Sequence, residues 1–285
     1  MNLHYAYIYD DFLSDRGFER EVAALETKLN RYDLAGRIGR LALFRDPKDL
    51  VESMVNQGAT TIVIVGNDNT LDKVMWFLPN LDVTVGYIPL AGPSVAAKLL
   101  NIPVGIDACD ILSARLVESL DLGKLDNRYF LTEAEVPAEM ASLDVEGKYK
   151  VSAMGGGSLI IRNLGGRRDS RGDEFDGKDG FLEAIIISQE EERKPFFRRR
   201  KEKNDKTRIL FKHGKLLAKF PVEVRVDNQI VKGSVFDVSI GDKKIKMITG
   251  RGRRSVQVED VLPKRKKNGN FSSAASGIKR PRKEF

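Results

Sequence analysis

Cysteine, histidine and long apolar runs are what this 285-residue sequence has least of. Cys109 is the single cysteine, which excludes an internal disulfide and fits a reducing compartment such as the cytoplasm. It reads as a small buried apolar residue. His4 and His213 are the only histidines, and neither has cysteine or histidine company at ligand spacing. Zinc is therefore not expected, and serine–histidine catalysis has nothing to rest on. No stretch approaches the ~20 consecutive apolar residues that a membrane-spanning helix needs. The opening residues gain acid early and lack the basic-then-apolar order of a signal peptide.

Positive charge, by contrast, is plentiful and unevenly placed. The net +7 concentrates in "RKPFFRRRKEK" (193–203), "RGRR" (251–254), "PKRKK" (263–267) and "KRPRK" (279–283). Such clusters attract anionic surfaces, nucleic acid or phospholipid headgroups alike. For residues 263–285 the plainer reading is a solubilising, disordered tail. "PFFRRRKEK" (195–203) admits two readings. Phe196 and Phe197 could enter a membrane surface at the inner face of the membrane while the arginines meet headgroups. Alternatively the segment is a hairpin with core phenylalanines and solvated arginines, which is the simpler account. No recognised nucleic-acid module is present, so no specific nucleic acid is expected as a partner.

The first half of the chain alternates strands and helices. "HYAYIYD" (4–10), "IGRLALF" (38–44), "TTIVIVG" (60–66) and "VTVGYIP" (83–89) read as strands. Amphipathic stretches separate them, one of them opening on Asp46-Pro47, a good helix start. That alternation predicts an open α/β sheet over residues 1–125. From 126 to 250 the segments are short, β-branched and separated by glycine or charged turns, as in an antiparallel sandwich. Residues 251–262 read as a return segment. The expected architecture is α/β followed by β: an N-terminal nucleotide-binding domain and a C-terminal β-sandwich, with a cleft between them for small molecules.

At Gly66-Asn67-Asp68-Asn69-Thr70 a buried strand ends and a helix begins. In open α/β sheets ligands bind beyond the carboxyl ends of the strands, and a helix start offers amides and partial positive charge to an anion. Glycines usually stand there because they allow close approach and positive φ; asparagine comes next in tolerance. Taken alone, the stretch is better explained by an ordinary N-cap at Asn69 or Thr70.

It does not stand alone. The run "VIVGNDNTLDKVMWFL…DVTVGYIPLAGPSVAAKLLNIP…DILSARLVESLDLGKLDNRYFL" resembles the catalytic domain of diacylglycerol kinases and bacterial lipid kinases, and more distantly the NAD kinase-like superfamily. The family's Gly-Gly-Asp-Gly-Thr corresponds to Gly66–Thr70, and its Ile-Pro-Leu-Gly-Thr-Gly-Asn-Asp to Ile88–Val95. Leu-Gly-Ile-Pro corresponds to Leu100–Pro103, Asp-Leu-Gly to Asp121–Gly123, and Arg-Tyr-Phe to Arg128–Phe130. "DGFLEAIII" (179–187) and "VRVDNQIVKGSVFDVSI" (224–240) resemble second-domain elements of the same family.

The resemblance implies transfer of the ATP γ-phosphoryl group to a lipid hydroxyl with Mg²⁺, at a site between the domains. It implies Asp68 and Asp227 as catalytic carboxylates, Asp227 as the base. Gly66, Asn67, Asp68, Asn69, Thr70, Gly92 and Ser94 would meet the nucleotide, and Asp68 and Asp179 a metal. A lipid substrate and an anionic membrane surface are the implied partners.

The departures from the family pattern fall in the chemistry. Two of three first-loop glycines are Asn67 and Asn69; the second loop reads Ala91-Gly92-Pro93-Ser94-Val95. Pro93 removes an N–H, Val95 replaces a carboxylate, and Gln229 replaces a glutamate. Two functional readings follow: a divergent active lipid kinase, or a non-catalytic relative that binds nucleotide, lipid or a protein partner. The altered cradle favours the second, and the retained Asp68, Asp227 and Thr70 the first.

Overall fold

A computed structural model describes residues 4–41, 46–152, 156–164, 177–189 and 206–251. The segment 195–203 and the basic tail lie outside the described residues. β1 (Tyr5–Asp10) is buried along its whole length. Two 3-10 turns lead into α1 (Glu19–Arg31), which buries Leu25 and Leu29, one turn apart. β2 (Gly36–Leu41) precedes α2 (Pro47–Asn56), whose cap Asp46 accepts from Lys48 N–H at 2.9 Å. β3 (Thr61–Gly66) is fully buried and runs into α3 (Asp68–Met75). Then come β4 (Thr84–Pro89), the short α4 (Val95–Leu99), α5 (Ala108–Ala114) and β5 (Val117–Leu120). Cys109, on α5, is fully buried.

The second unit contains β6 (Gly123–Leu125), β7 (Arg128–Phe130), β8 (Glu133–Pro137), β9 (Ala141–Val145) and β10 (Tyr149–Val151). It continues with β11 (Gly156–Arg162), β12 (Leu182–Gln189), β13 (Lys206–Phe211), and the long hairpin β14 (His213–Val226) and β15 (Gln229–Ile240). All its pairings are antiparallel. β9 shows the cause in miniature: Ala141, Leu143 and Val145 are buried and alternate with the half-buried Ser142 and Asp144, the period-two pattern of a sheet with one face inward. β16 (Ile245–Ile248) leaves this sheet.

The first sheet has the order β2-β1-β3-β4-β16-β5. β1 to β4 and β16 are parallel, and β5 is antiparallel at the edge. Residues 245–248, which read from sequence as part of the second domain, are thus a strand of the first. Lys246 and Met247 sit opposite Thr84 and Val85, and the apolar Ile245, Met247 and Ile248 complete that core. A second core gathers Phe130, Leu143, Phe211 and Phe236 inside the antiparallel sheet.

Two chain crossings tie the units together side by side, Leu120–Gly123 outward and Ile240–Ile245 back. Gly241 N–H donates to Leu122 O at 2.7 Å, and Lys244 pairs with buried Asp121 at 2.7 Å. Gly123 stands opposite Phe130, and a Cβ on it would come 2.0 Å from the Phe130 ring. The Asp-Leu-Gly and Arg-Tyr-Phe segments are therefore one packed seam. Beyond the seam, α2 and α3 of the first unit face β7 and the β14–β15 hairpin of the second across a cleft.

Candidate functional site

β2 and β3 flank β1 on opposite sides, so the chain order reverses at the carboxyl ends of β1 and β3. That is where an open α/β sheet leaves a crevice. Asp10 ends β1 and Gly66 ends β3. Asn67 caps α3: its side chain accepts from Thr70 N–H at 3.0 Å, and its own N–H donates to Thr70 Oγ1 at 2.9 Å. The Thr70 hydroxyl donates to Asp10 Oδ2 at 2.8 Å, the same oxygen that pairs with Lys73 at 2.8 Å. Thr70 is fully buried. A Cβ on Gly66 would come 2.2 Å from Thr70 Oγ1, which is why glycine stands there.

The two asparagines do not imitate glycine. Asn67 has φ −131°, extended backbone, and Asn69 sits within the first turn of α3, exposed. Asn67 stands there for its carbonyl oxygen, as a cap, and not for tolerance of positive φ.

Asp68, the first residue of α3, turns toward α4 rather than into open space. Its Oδ1 accepts from Tyr87 OH at 2.8 Å and from the Ser94 hydroxyl in a shorter bond. Its Oδ2 accepts from Val95 N–H at 2.7 Å and Ala96 N–H at 3.3 Å. Ser94 meanwhile caps α4 by accepting from Ala97 N–H at 2.9 Å. Burial, and then the Asp68 charge, hold the Tyr87 phenol above its ordinary range, so it remains a donor. Gly92 is left-handed at φ +68°, with open space where a Cβ would be.

Asp227 lies at the tip of the β14–β15 hairpin in left-handed backbone at φ 49°. Its carboxylate accepts from the N–H of Leu131 at 2.8 Å, Thr132 at 2.9 Å and Glu133 at 3.0 Å, and from the Thr132 hydroxyl at 2.5 Å. Burial raises its pKa against the opposing pull of those four bonds. Asp179 precedes β12, where its carboxylate accepts from Phe181 N–H at 3.0 Å. Its neighbour Gly180 donates to Asp121 at 2.8 Å. The structure thus sets Asp179 in a turn of its own, while Asp68 and Asp227 line one small cavity together.

The residue that sequence reasoning missed is Asp72. It lies four residues after Asp68, one turn further along α3. Its Oδ2 accepts from Asn228 N–H at 3.0 Å and Asn228 Nδ2 at 2.8 Å, joining helix to hairpin tip. Among the described residues no donor reaches its Oδ1. Burial and then the Asp227 charge push its pKa up to about 8. It faces a cleft of ≈ 200 Å³ between α3 and the second unit, lined also by Met75, Trp76, Arg128, Asp227 and Gln229. The available signal was spacing: Asp68 and Asp72, at i and i+4, share a helix face.

This architecture defines a class: an α/β unit with a switch-point crevice, joined to an antiparallel β unit by two crossings. The fold is that of diacylglycerol kinases. A diacylglycerol kinase from Bacillus anthracis str. Sterne superposes with TM-score 0.69 at 14% identity, over 90% of this chain and all of that one. Two further structures from that strain, provisionally described as diacylglycerol kinases, give TM-scores of 0.68 and 0.67 at 13% and 12% identity. They cover 88% and 91% of this chain, and 99% and 98% of their own. No family model and no curated protein matches the sequence.

The fold raises the question of ATP and Mg²⁺, and the residues answer it poorly in this arrangement. The amides of Val95 and Ala96 are already held by an anion, the Asp68 carboxylate. The hydroxyls of Thr70 and Ser94 are spent internally, and Pro93 has no N–H. A phosphate entering the second loop would have to displace Asp68. Among the described residues no group of three His, Cys, Asp or Glu side chains is arranged to hold a metal ion.

Proposed function

We propose that this chain is a non-catalytic protein of the diacylglycerol kinase fold, which keeps the interdomain cleft for ligand binding and has lost ATP-dependent transfer to a lipid hydroxyl. One observation carries the reading: both carboxylates the resemblance assigns to catalysis are consumed by internal donors, four on Asp68 and four on Asp227. Phosphoryl transfer depends on positioning and charge neutralisation around the phosphates. A loop closed on its own aspartate supplies neither. Calorimetry with Mg²⁺–ATP tests this on the wild type and Asp68→Ala. The expected result is no heat of binding to the wild type at millimolar ATP. Micromolar binding, with transfer of labelled phosphate to diacylglycerol vesicles, overturns the reading.

One observation favours the competing reading, an active lipid kinase. Asp72 lines the cleft with an oxygen that no donor reaches among the described residues, and burial pushes its pKa up to about 8, toward the range a general base needs. In that case labelled phosphate reaches the lipid with the wild type and not with Asp72→Asn.

A further inference from the structure

The cleft between α3 and the β14–β15 hairpin has a composition of its own. Trp76, 40% exposed, and Met75 form an apolar wall, continued by Pro47. Asp72 stands beside that wall on the same helix, its Oδ1 met by no donor among the described residues, while the exposed Arg128 and Gln229 line the cleft from the second unit. Trp76 follows Asp72 by four residues, so the indole and the carboxylate lie on one helix face.

Size limits what can enter. A volume of ≈ 200 Å³ falls below the ~300–1,000 Å³ of a drug-sized site. It is too small to enclose a whole nucleotide or a long acyl chain, and matches one saturated ring or a short chain. Charge limits it further. Lys73 is neutralised by Asp10, and Arg128 lines the same cleft as Asp72 and Asp227. Burial raises both carboxyls, and the Asp227 charge adds to the rise at Asp72, so the pair holds its protons more tightly than free carboxyls do. The cleft is close to neutral, which favours an uncharged occupant.

Hydrogen-bonding capacity is high for so small a space. A carboxyl oxygen accepts, a guanidinium donates in a fixed fork, and a primary amide does both. An occupant that satisfies them needs several adjacent groups able to donate and accept, together with a C–H face for the indole. Polyhydroxylated carbon skeletons have both.

We infer that this cleft binds a neutral polyol, a cyclitol or monosaccharide ring either free or as the headgroup of a lipid, with Asp72, Arg128 and Gln229 on its hydroxyls and Trp76 on its C–H face. The inference rests on the reading of the cleft as a ligand site and says which chemistry fills it. Asp72 is a binding residue here, and the phosphate loops take no part.

Trp76 is the only tryptophan in the chain, so its fluorescence reports on this site alone. The full-length protein is titrated with myo-inositol and, separately, with glucose. Cyclohexanol, a ring with one hydroxyl, is the control. Saturable change with a dissociation constant in the millimolar range, for at least one polyol and not for cyclohexanol, is expected. Asp72→Asn keeps an acceptor for Asn228 and is expected to weaken binding about tenfold, as is Arg128→Ala. Vesicles of phosphatidylcholine with or without phosphatidylinositol separate a headgroup from a free polyol, binding to either being support. A linear response to every polyol and vesicle, or saturation unchanged in both variants, overturns the inference. A parallel Mg²⁺–ATP titration keeps the outcomes distinct: ATP binding sinks the non-catalytic reading and leaves the polyol result to be judged alone.

Discussion

Asp72 accepts both N–H groups of Asn228, the backbone one at 3.0 Å and the side-chain one at 2.8 Å, and so fastens α3 to the hairpin tip across the cleft. The covalent crossings lie elsewhere, at Leu120–Gly123 and Ile240–Ile245. Side chains fasten the two units on one side of the cleft and the chain itself joins them at the seam.

The burial of Asp72 makes stability depend on pH, with the Asn228 bonds pulling the other way. The Asp72 carboxyl rises from 3.8 to about 8 on folding, through burial first and the Asp227 charge second. Asp227 shifts in the same direction. Lys73 and Arg128 from the cleft, and Arg225, Glu133 and Asp68 from the adjoining cavity, are the other charged groups nearby. A raised carboxyl means the folded chain holds a proton that the unfolded chain releases. Its contribution is fully present below about pH 4 and is lost as pH rises through about 8. Urea midpoints measured near pH 6 and near pH 9 are expected to fall for the wild type and to fall less for Asp72→Asn. Equal slopes would show that the proton sits elsewhere.

Removing Asp68 should cost stability whatever it does to ligands. Asp68→Ala strands the Tyr87 hydroxyl and the amides of Val95 and Ala96. Leaving such groups unpaired costs about 1–3 kcal/mol. Guanidinium unfolding is expected to show a loss in that range, with Asp68→Asn intermediate because one carbonyl oxygen remains.

Thr70→Val keeps shape and deletes the hydroxyl that accepts from Asn67 and donates to Asp10. Thr70 is the N3 half of the capping box, and losing its two buried hydrogen bonds costs about 0.5–2 kcal/mol, toward the upper end because the position is fully buried. A wild-type thermal midpoint would count against the structural role.

Gly123→Ala tests the seam. The added Cβ falls 2.0 Å from the ring of fully buried Phe130, which cannot swing into solvent. Overpacking of this kind costs about 1–3 kcal/mol. Urea unfolding is expected to show a loss in that range, and a wild-type midpoint would show that the β6–β7 pair can make room for the added carbon.

Alternation and apolar period were enough to read the α/β half from the sequence. β3 is a nearly continuous apolar run because it is covered on both faces, and α2 announces itself with Asp46-Pro47. The change to short β-branched segments likewise marked the antiparallel half. Those signals are local, since a residue's side-chain chemistry and its immediate neighbours create them. What Asp68 does is not local. Its partners Tyr87, Ser94, Val95 and Ala96 lie 19 to 28 residues away and meet it because β3 and β4 are adjacent in the sheet. Asp72 meets Asn228 across 156 residues, a pairing no spacing rule can indicate. β16 reached the first sheet for the same reason: its strand pattern is short and ambiguous, and only the open edge of β4 decides where it pairs. Sequence alone determined which elements form and which loops carry polar side chains. Tertiary structure decided which of those side chains are spent on one another and which still face the cleft, because hydrogen-bond satisfaction depends on what the fold brings within 3 Å.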